Sequence, residues 1–182
     1  MLGYDGWNVD QSLMLSLCSE GAHTYFICGD LETAKSLVTE VIKQDSITIE
    51  DKYTAYKIKT QAHYASSEFD EALNTAFSFR KQLDLPTLKN KQASMPIVVK
   101  KFMITMKELG ERTAEDIADM PALTEQRVEM GQRMLELAAN ISFIAQPSLY
   151  PLIIFQMVRA SVNHGINASS CEAFAGYGII LW

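Results

Sequence analysis

Three cysteines and three histidines are the residues of this 182-residue chain best suited to nucleophilic, acid–base or metal chemistry. A thiol nucleophile needs a group that holds it as thiolate, and a zinc site needs several His, Cys or carboxylate ligands at short, regular spacing. Cys18, Cys28 and Cys171 lie far apart, and His23, His63 and His164 fall in no recognised ligand motif, so no metal ligands are assigned. A phosphate-binding loop needs Gly followed by Lys and Ser or Thr, and the chain contains no Gly-Lys pair. Gly176-Tyr177-Gly178 lacks the third glycine of a dinucleotide loop and reads as small residues that let helices approach. There is no Gly-x-Ser-x-Gly elbow. His164, in a last helical turn before Gly165, suits the negative end of a helix dipole, and the acid pairs Asp70-Glu71 and Glu115-Asp116 suit helix starts. Cys18, His23 and His63 are what remains for an all-α enzyme whose pocket is assembled from distant positions. No residue is assigned a catalytic role.

The elements that would have to position such groups are helices almost from end to end. Leu15, Cys18, Ala22, Tyr25 and Phe26 recur at spacings of three and four, as do Ala34, Leu37, Val38, Val41 and Ile42. Between them Gly29 can end one helix and Asp30 can cap the next. The pattern then recurs. Thr48-Ile49-Glu50-Asp51 resembles a capping box for a helix carrying Ala55, Ile58, Ala62 and Ala65. After a turn at Ser66-Ser67-Glu68, Asp70 is the expected N-cap for Leu73, Ala76, Phe77 and Leu83. A polar loop including Lys89-Asn90-Lys91-Gln92 follows. A helix from about Pro96 to Leu109 is expected to bury Val99, Phe102, Met103 and Met106. Thr113 caps a short helix. Thr124 starts a long one with Val128, Gly131, Leu135, Ala138 and Ile141 on one face. Ser148 to His164 is apolar on nearly every side and is expected at the centre of the packing. Ser169-Ser170-Cys171-Glu172 is expected to cap the last helix.

Composition bounds the classes. With 48% apolar and 21% charged residues, 9 Gly and 5 Pro, the chain is globular and neither disordered nor collagenous. The odd, scattered cysteines argue against a disulfide framework and for a reducing cytoplasm. MLGYDGWNVD has no basic region and is not read as a secretory signal. The apolar run from Leu149 to Val158 is about half of the ~20 residues needed to cross a bilayer, so no membrane insertion is expected. The net charge of −6 is uneven: seven bases against Asp84 between Arg80 and Lys107, then eight acids against three bases between Glu108 and Glu136. The basic stretch lacks interleaved aromatic residues and is read as a solvated face rather than a nucleic-acid site.

The two hairpins resemble tetratricopeptide repeats. With Gly29 as the turn glycine and Ala34 as the small residue of the second helix, Ala22 falls at the small position of the first helix. Tyr25 then takes its aromatic position, and Val38 and Val41 take the packing positions of the repeat. Ala34 and Ala72 lie 38 residues apart, in the range of helical repeats. In the second repeat Ala62, Tyr64, Phe69 and Ala72 match, while Ser67 replaces the glycine and Thr60 and His63 replace the small and aromatic residues. The 38-residue offset departs from the usual 34 and places an insertion near Asp45 to Thr48. Over most of the chain the strings YFICGDLETAKSLVTEVIKQ, YKIKTQAHYASSEFDEALN and MVRASVNHGINASSCEAFAGYGIIL resemble the helical region of large multidomain signalling proteins. In those, a predicted AAA-type ATPase domain, often preceded by a serine/threonine kinase domain, is followed by such repeats, a GAF domain and a sensor histidine kinase.

The resemblance implies an all-α fold of about eight or nine helices, with hairpins stacked as an α-solenoid fragment. Residues 1–84 would form two hairpins, 85–123 a Pro-containing connector with one longer and one short helix, and 124–182 further repeat units truncated at the C-terminus, with Gly165 ending the helix from Ser148 to His164. The apolar exit from Gly178 to Trp182 leads to the expectation of a fragment whose next repeat is missing. It implies an interaction and regulatory segment that couples ATPase and kinase parts. The segment itself would carry no cofactor, and ATP and Mg would belong to the parent. Its partner would be a protein, a peptide or a neighbouring domain, held by Ser19, His23, Lys57 and Gln61 on the concave face. A free-standing tetratricopeptide adaptor is the alternative.

Overall fold

The computed structural model describes residues 6–88 and 93–182, so the loop expected at Lys89-Asn90-Lys91-Gln92 lies outside the described residues. The protein is all-α with a helical-repeat-like arrangement of hairpins. Ten helices occur among the described residues, one more than the upper expectation, because Gly6–Val9 forms a single-turn α1 that the periodicity is too short to reveal. The chain divides into two compact units, residues 1–75 and 76–182, with the division inside α5.

In the first unit α2 (Gln11–Cys28), α3 (Leu31–Ile42) and α4 (Tyr53–Ala65) pack in order, and α2 also touches α4. Their shared core is Cys18, Ala22, Val38, Val41, Ile47, Ala55 and Ile58, flanked by Trp7, Met14, Leu15, Phe26, Leu37 and Ile42. Asp10 starts α2 by accepting from the Leu13 N–H, and Asp30 starts α3 by accepting from Thr33 N–H and Oγ1. Gly29 closes α2 at φ 85°. The Gly29 N–H reaches Phe26 O and the Asp30 N–H reaches Tyr25 O. The same pair of bonds recurs at Ser67, φ 60°, where Ser67 N–H meets Tyr64 O and Glu68 N–H meets His63 O.

Several local expectations shift. The Thr48 cap bonds form, with Oγ1 accepting from Asp51 N–H at 3.2 Å and donating to its carboxylate at 2.7 Å, but residues 49–52 stay in turns and α4 begins at Tyr53. Buried Ile47 anchors that segment to the core before the helix starts. Asp70 is not an N-cap: α5 (Phe69–Gln82) begins one residue earlier and takes Asp70 into its first turn. Tyr25 is 44 % exposed, because the buried line of α2 runs through Cys18 and Ala22 to half-buried Phe26, and Tyr25 falls one position off it beside the turn.

In the second unit α9 (Tyr150–His164) is central, packed against α6 (Met95–Leu109), α8 (Gln126–Ala145) and α10 (Ala168–Leu181), with short α7 (Ala114–Ala118) outside. Leu152, Ile153, Ile154, Phe155, Met157 and Val158 are all buried, as an apolar run with no polar face requires. Val128, Gly131, Leu135, Ala138 and Ile141 of α8 are buried as expected. Phe102, Phe155 and Tyr177 bring three helices together, with ring centroids 5.8 to 6.2 Å apart. A Cβ on Gly176 would lie 2.7 Å from Ile154 Cδ1, so this glycine sets the approach of α10 to α9, whereas Gly178 faces open space.

Two expectations in this unit are corrected. In α6 Val99, Met103 and Met106 are exposed; the inward face runs through Val98, Phe102, Thr105 and Leu109. The apolar side chains of α6 go nearly all round, so periodicity alone chooses the wrong edge. The capping box of α10 lies between Asn167 and Ser170, not Ser169 and Glu172: Asn167 N–H donates to Ser170 Oγ, whose hydroxyl returns to Asn167 Oδ1. Gly165 ends α9 at φ 106°, and a Cβ there would meet Pro121 O at 2.6 Å. The adjoining backbone pairs Ile166 N–H with Pro121 O and Leu123 N–H with Ile166 O.

Candidate functional site

Two groups of side chains qualify, one in each unit. In the first unit Ser19 and His23 stand four residues apart on α2, and Lys57 and Gln61 stand four apart on α4. His23 and Lys57 are exposed, Ser19 and Gln61 half-buried, and their two helices are in contact. The repeat positions beneath them are sealed: Ala22, Ala34, Ala62 and Ala72 are fully buried, and so is Thr60, which stands 38 residues after Ala22. Thr60 can replace a small apolar residue because its hydroxyl donates to Tyr56 O one turn back. Tyr64 is partly exposed, its ring centroid 5.9 Å from that of Phe69.

The residues singled out for catalysis are not gathered. Cys18 is buried, and burial together with the Glu40 carboxylate pushes its thiol up, the opposite of an activated nucleophile. His63 contacts the Glu68 carboxylate at 2.5 Å, and Lys35 bridges Glu68 to Glu32. This cluster ties α3 to the turn after α4 along an open groove of about 500 Å³, and it holds Glu68 below the usual carboxylate range. His164, at the end of α9, meets Glu125 at 2.9 Å. Among the described residues no cluster of His, Cys, Asp and Glu could hold a metal ion, and no helix is long and apolar enough to cross a membrane.

The second group centres on Arg80 and lies in the second unit. Arg80, read as part of a solvated basic face, is 3 % exposed. It follows Ala76 and Phe77 and precedes Leu83 at helical spacing, so the register that buries those residues buries Arg80 too. Its Nε and Nη2 donate to Pro86 O at 3.3 and 2.8 Å, and Nη1 donates to Gly131 O at 2.6 Å. Gly131 leaves room for this, since a Cβ would stand 2.8 Å from Arg80 Nη1 and 2.3 Å from Leu85 Cδ1 and would force those side-chain ends to shift. Burial alone lowers the guanidinium to about 9, which leaves it charged at neutral pH.

Arg80, Leu85, Pro86, Val128, Gln132 and Gln156 line a cavity of about 100 Å³, completed by Arg159, Ala160, Asn163 and His164. Arg159 is already committed: it holds Glu108 through two bonds of 2.8 and 2.7 Å, and Asn163 adds a third to the same carboxylate. The cue in the sequence was a single arginine on an apolar helical face. Gln132 and Gln156 carry no cue, since a buried glutamine reads like any other polar residue. Set against protein-family models, curated proteins and solved structures, the chain has no significant match in any of the three comparisons.

Proposed function

We propose that this chain is a non-catalytic helical-repeat segment that binds a protein, a peptide or a neighbouring domain on the face formed by α2 and α4. On this reading it comes from a cytoplasmic multidomain signalling protein with tetratricopeptide-like repeats and couples that protein's ATPase and kinase parts. ATP and Mg would then be bound elsewhere in the parent.

The observation that carries this reading is the repetition of one hairpin with a 38-residue offset. The same left-handed turn occurs at Gly29 and Ser67, buried Ala34 is followed by buried Ala72, and Ser19 and His23 recur as Lys57 and Gln61. Stacked hairpins place the same positions of successive first helices side by side, which is how solenoids build extended binding surfaces. Contact between α2 and α4 is the step of that stacking present here.

Lys57 and Gln61 project from a formed helix and Ala is an equal or better helix former, so the double change to Ala leaves helicity intact. The Lys57→Ala/Gln61→Ala protein should bind the parent's separately expressed ATPase or kinase domain several-fold more weakly, with an unchanged far-ultraviolet circular dichroism spectrum. Unchanged affinity would remove this face from the reading. A reading frame with a phosphate-binding loop upstream or a histidine kinase downstream would support the parent, and a frame with neither would argue for a free-standing adaptor.

A further inference from the structure

The Arg80 cavity leaves hydrogen-bonding capacity unused on both sides. Gln132 is 1 % exposed; its amide N–H groups go to Met157 O at 3.0 Å and Ser161 Oγ at 3.3 Å, while Oε1 has no partner. Gln156 donates to Pro86 O, and its buried Oε1 is likewise unpartnered. Neither amide can be reversed, because its oxygen would then face the carbonyl of Met157 or Pro86. Of the five guanidinium N–H groups of Arg80, three are used, and among the described residues no carboxylate compensates its charge. A buried cation with spare donors and two acceptors without donors thus line one space.

That space is about 100 Å³, whereas one water needs only roughly 10–15 Å³. It takes several heavy atoms. A ligand without an anionic group would leave Arg80 with no counter-ion, and among the described lining residues a dianion would find no second free cation, since Arg159 is spent on Glu108 and His164 on Glu125. We propose that the cavity binds a small monocarboxylate carrying an adjacent hydrogen-bond donor, an α-hydroxy or α-amino acid. Its carboxylate accepts from the spare Arg80 N–H groups and its hydroxyl or ammonium donates to Gln132 and Gln156 Oε1. No residue of this site belongs to the α2 and α4 face, so it stands or falls separately from the interaction reading.

Calorimetric titration of the full chain with glycolate, glycine and acetate at neutral pH tests it. Glycolate or glycine should bind at least about tenfold more tightly than acetate, a difference of ~1.4 kcal/mol. The tighter of the two identifies a hydroxyl or an ammonium as the donor. Gln156→Met should cut the preference over acetate several-fold, since only Gln132 Oε1 remains to accept from the hydroxyl or ammonium, while Arg80 stays bonded to Pro86 O through Nε and Nη2. Gln156→Glu should abolish binding by repelling the carboxylate. The idea is overturned if none of the three compounds binds, if acetate matches the other two, or if Gln156→Met keeps the preference undiminished. The contrast between compounds in the unaltered protein needs no variant to fold.

Discussion

Arg80 shows how far a single side chain can depart from what its type suggests. Buried arginines are expensive to desolvate, and this one is compensated by carbonyl oxygens rather than by a carboxylate. The arrangement depends on Gly131, which opposes a simple helix rule. On propensity alone Gly131→Ala in the interior of α8 should stabilise by about 1 kcal/mol. The crowding of the new Cβ against Leu85 and Arg80 should instead cost ~1–3 kcal/mol, and it would also pull Nη1 from Gly131 O. We therefore expect a lowered urea midpoint for Gly131→Ala. A raised midpoint would mean that Arg80 does not sit as described. The basic and acidic segments, by contrast, were legible as sums and not as pairs. Glu108 is held by Arg159 of α9, a partner 51 residues away that no local charge pattern indicates.

At the scale of elements, sequence legibility follows how one-sided each helix is. The buried faces of α3 and α8 agree with their periodicity because polar residues mark the opposite side. In α6 Met95, Val99, Met103 and Met106 are exposed while Phe102 packs near Phe155 and Tyr177, and only the tertiary partner decides which apolar edge turns inward. Phe102→Ala should accordingly cost about 2–3 kcal/mol, somewhat less than a fully buried Phe. Met103→Ala should stay within about 0.5 kcal/mol. Thermal unfolding of the two variants reverses in order if the face runs through Met103. Turns are legible where chemistry constrains them, as at Gly29, but Ser67 and Asp84 also take positive φ, at 60° and 57°. Ser in that conformation costs roughly 1 kcal/mol, so Ser67→Gly should raise stability by up to that amount, measured as a higher denaturation midpoint. The cavity glutamines were not legible, because an unmet Oε1 is a property of three helices and a carbonyl loop meeting, not of any one segment.

For the whole chain, the net charge of −6 conceals carboxylates in unlike surroundings. Asp30 and Asp116 are lowered chiefly by Thr33 and Thr113, which donate to them at helix starts; Glu68 is lowered by His63 and Lys35, and Glu108 by Arg159 and Asn163. A carboxyl whose folded value is depressed binds fewer protons folded than unfolded. Its contribution is therefore complete above the ordinary value of about 4 and fades as pH falls through the depressed value. Glu172 has the opposite sign: burial first, and Glu136 second, raise it, so it disfavours the folded state at neutral pH and becomes less harmful as it protonates. Among the carboxyls of the described residues, four depressed groups against one raised group make acid loss the dominant trend. The urea midpoint should hold from neutrality to about pH 5 and then fall steeply below about pH 4. Glu108→Gln should lower the midpoint at pH 7 and flatten that acid fall, and Glu172→Gln should raise the midpoint at pH 7. A midpoint that rises on acidification from pH 5 to pH 3 would show that self-repulsion of the acidic surface outweighs these local partners.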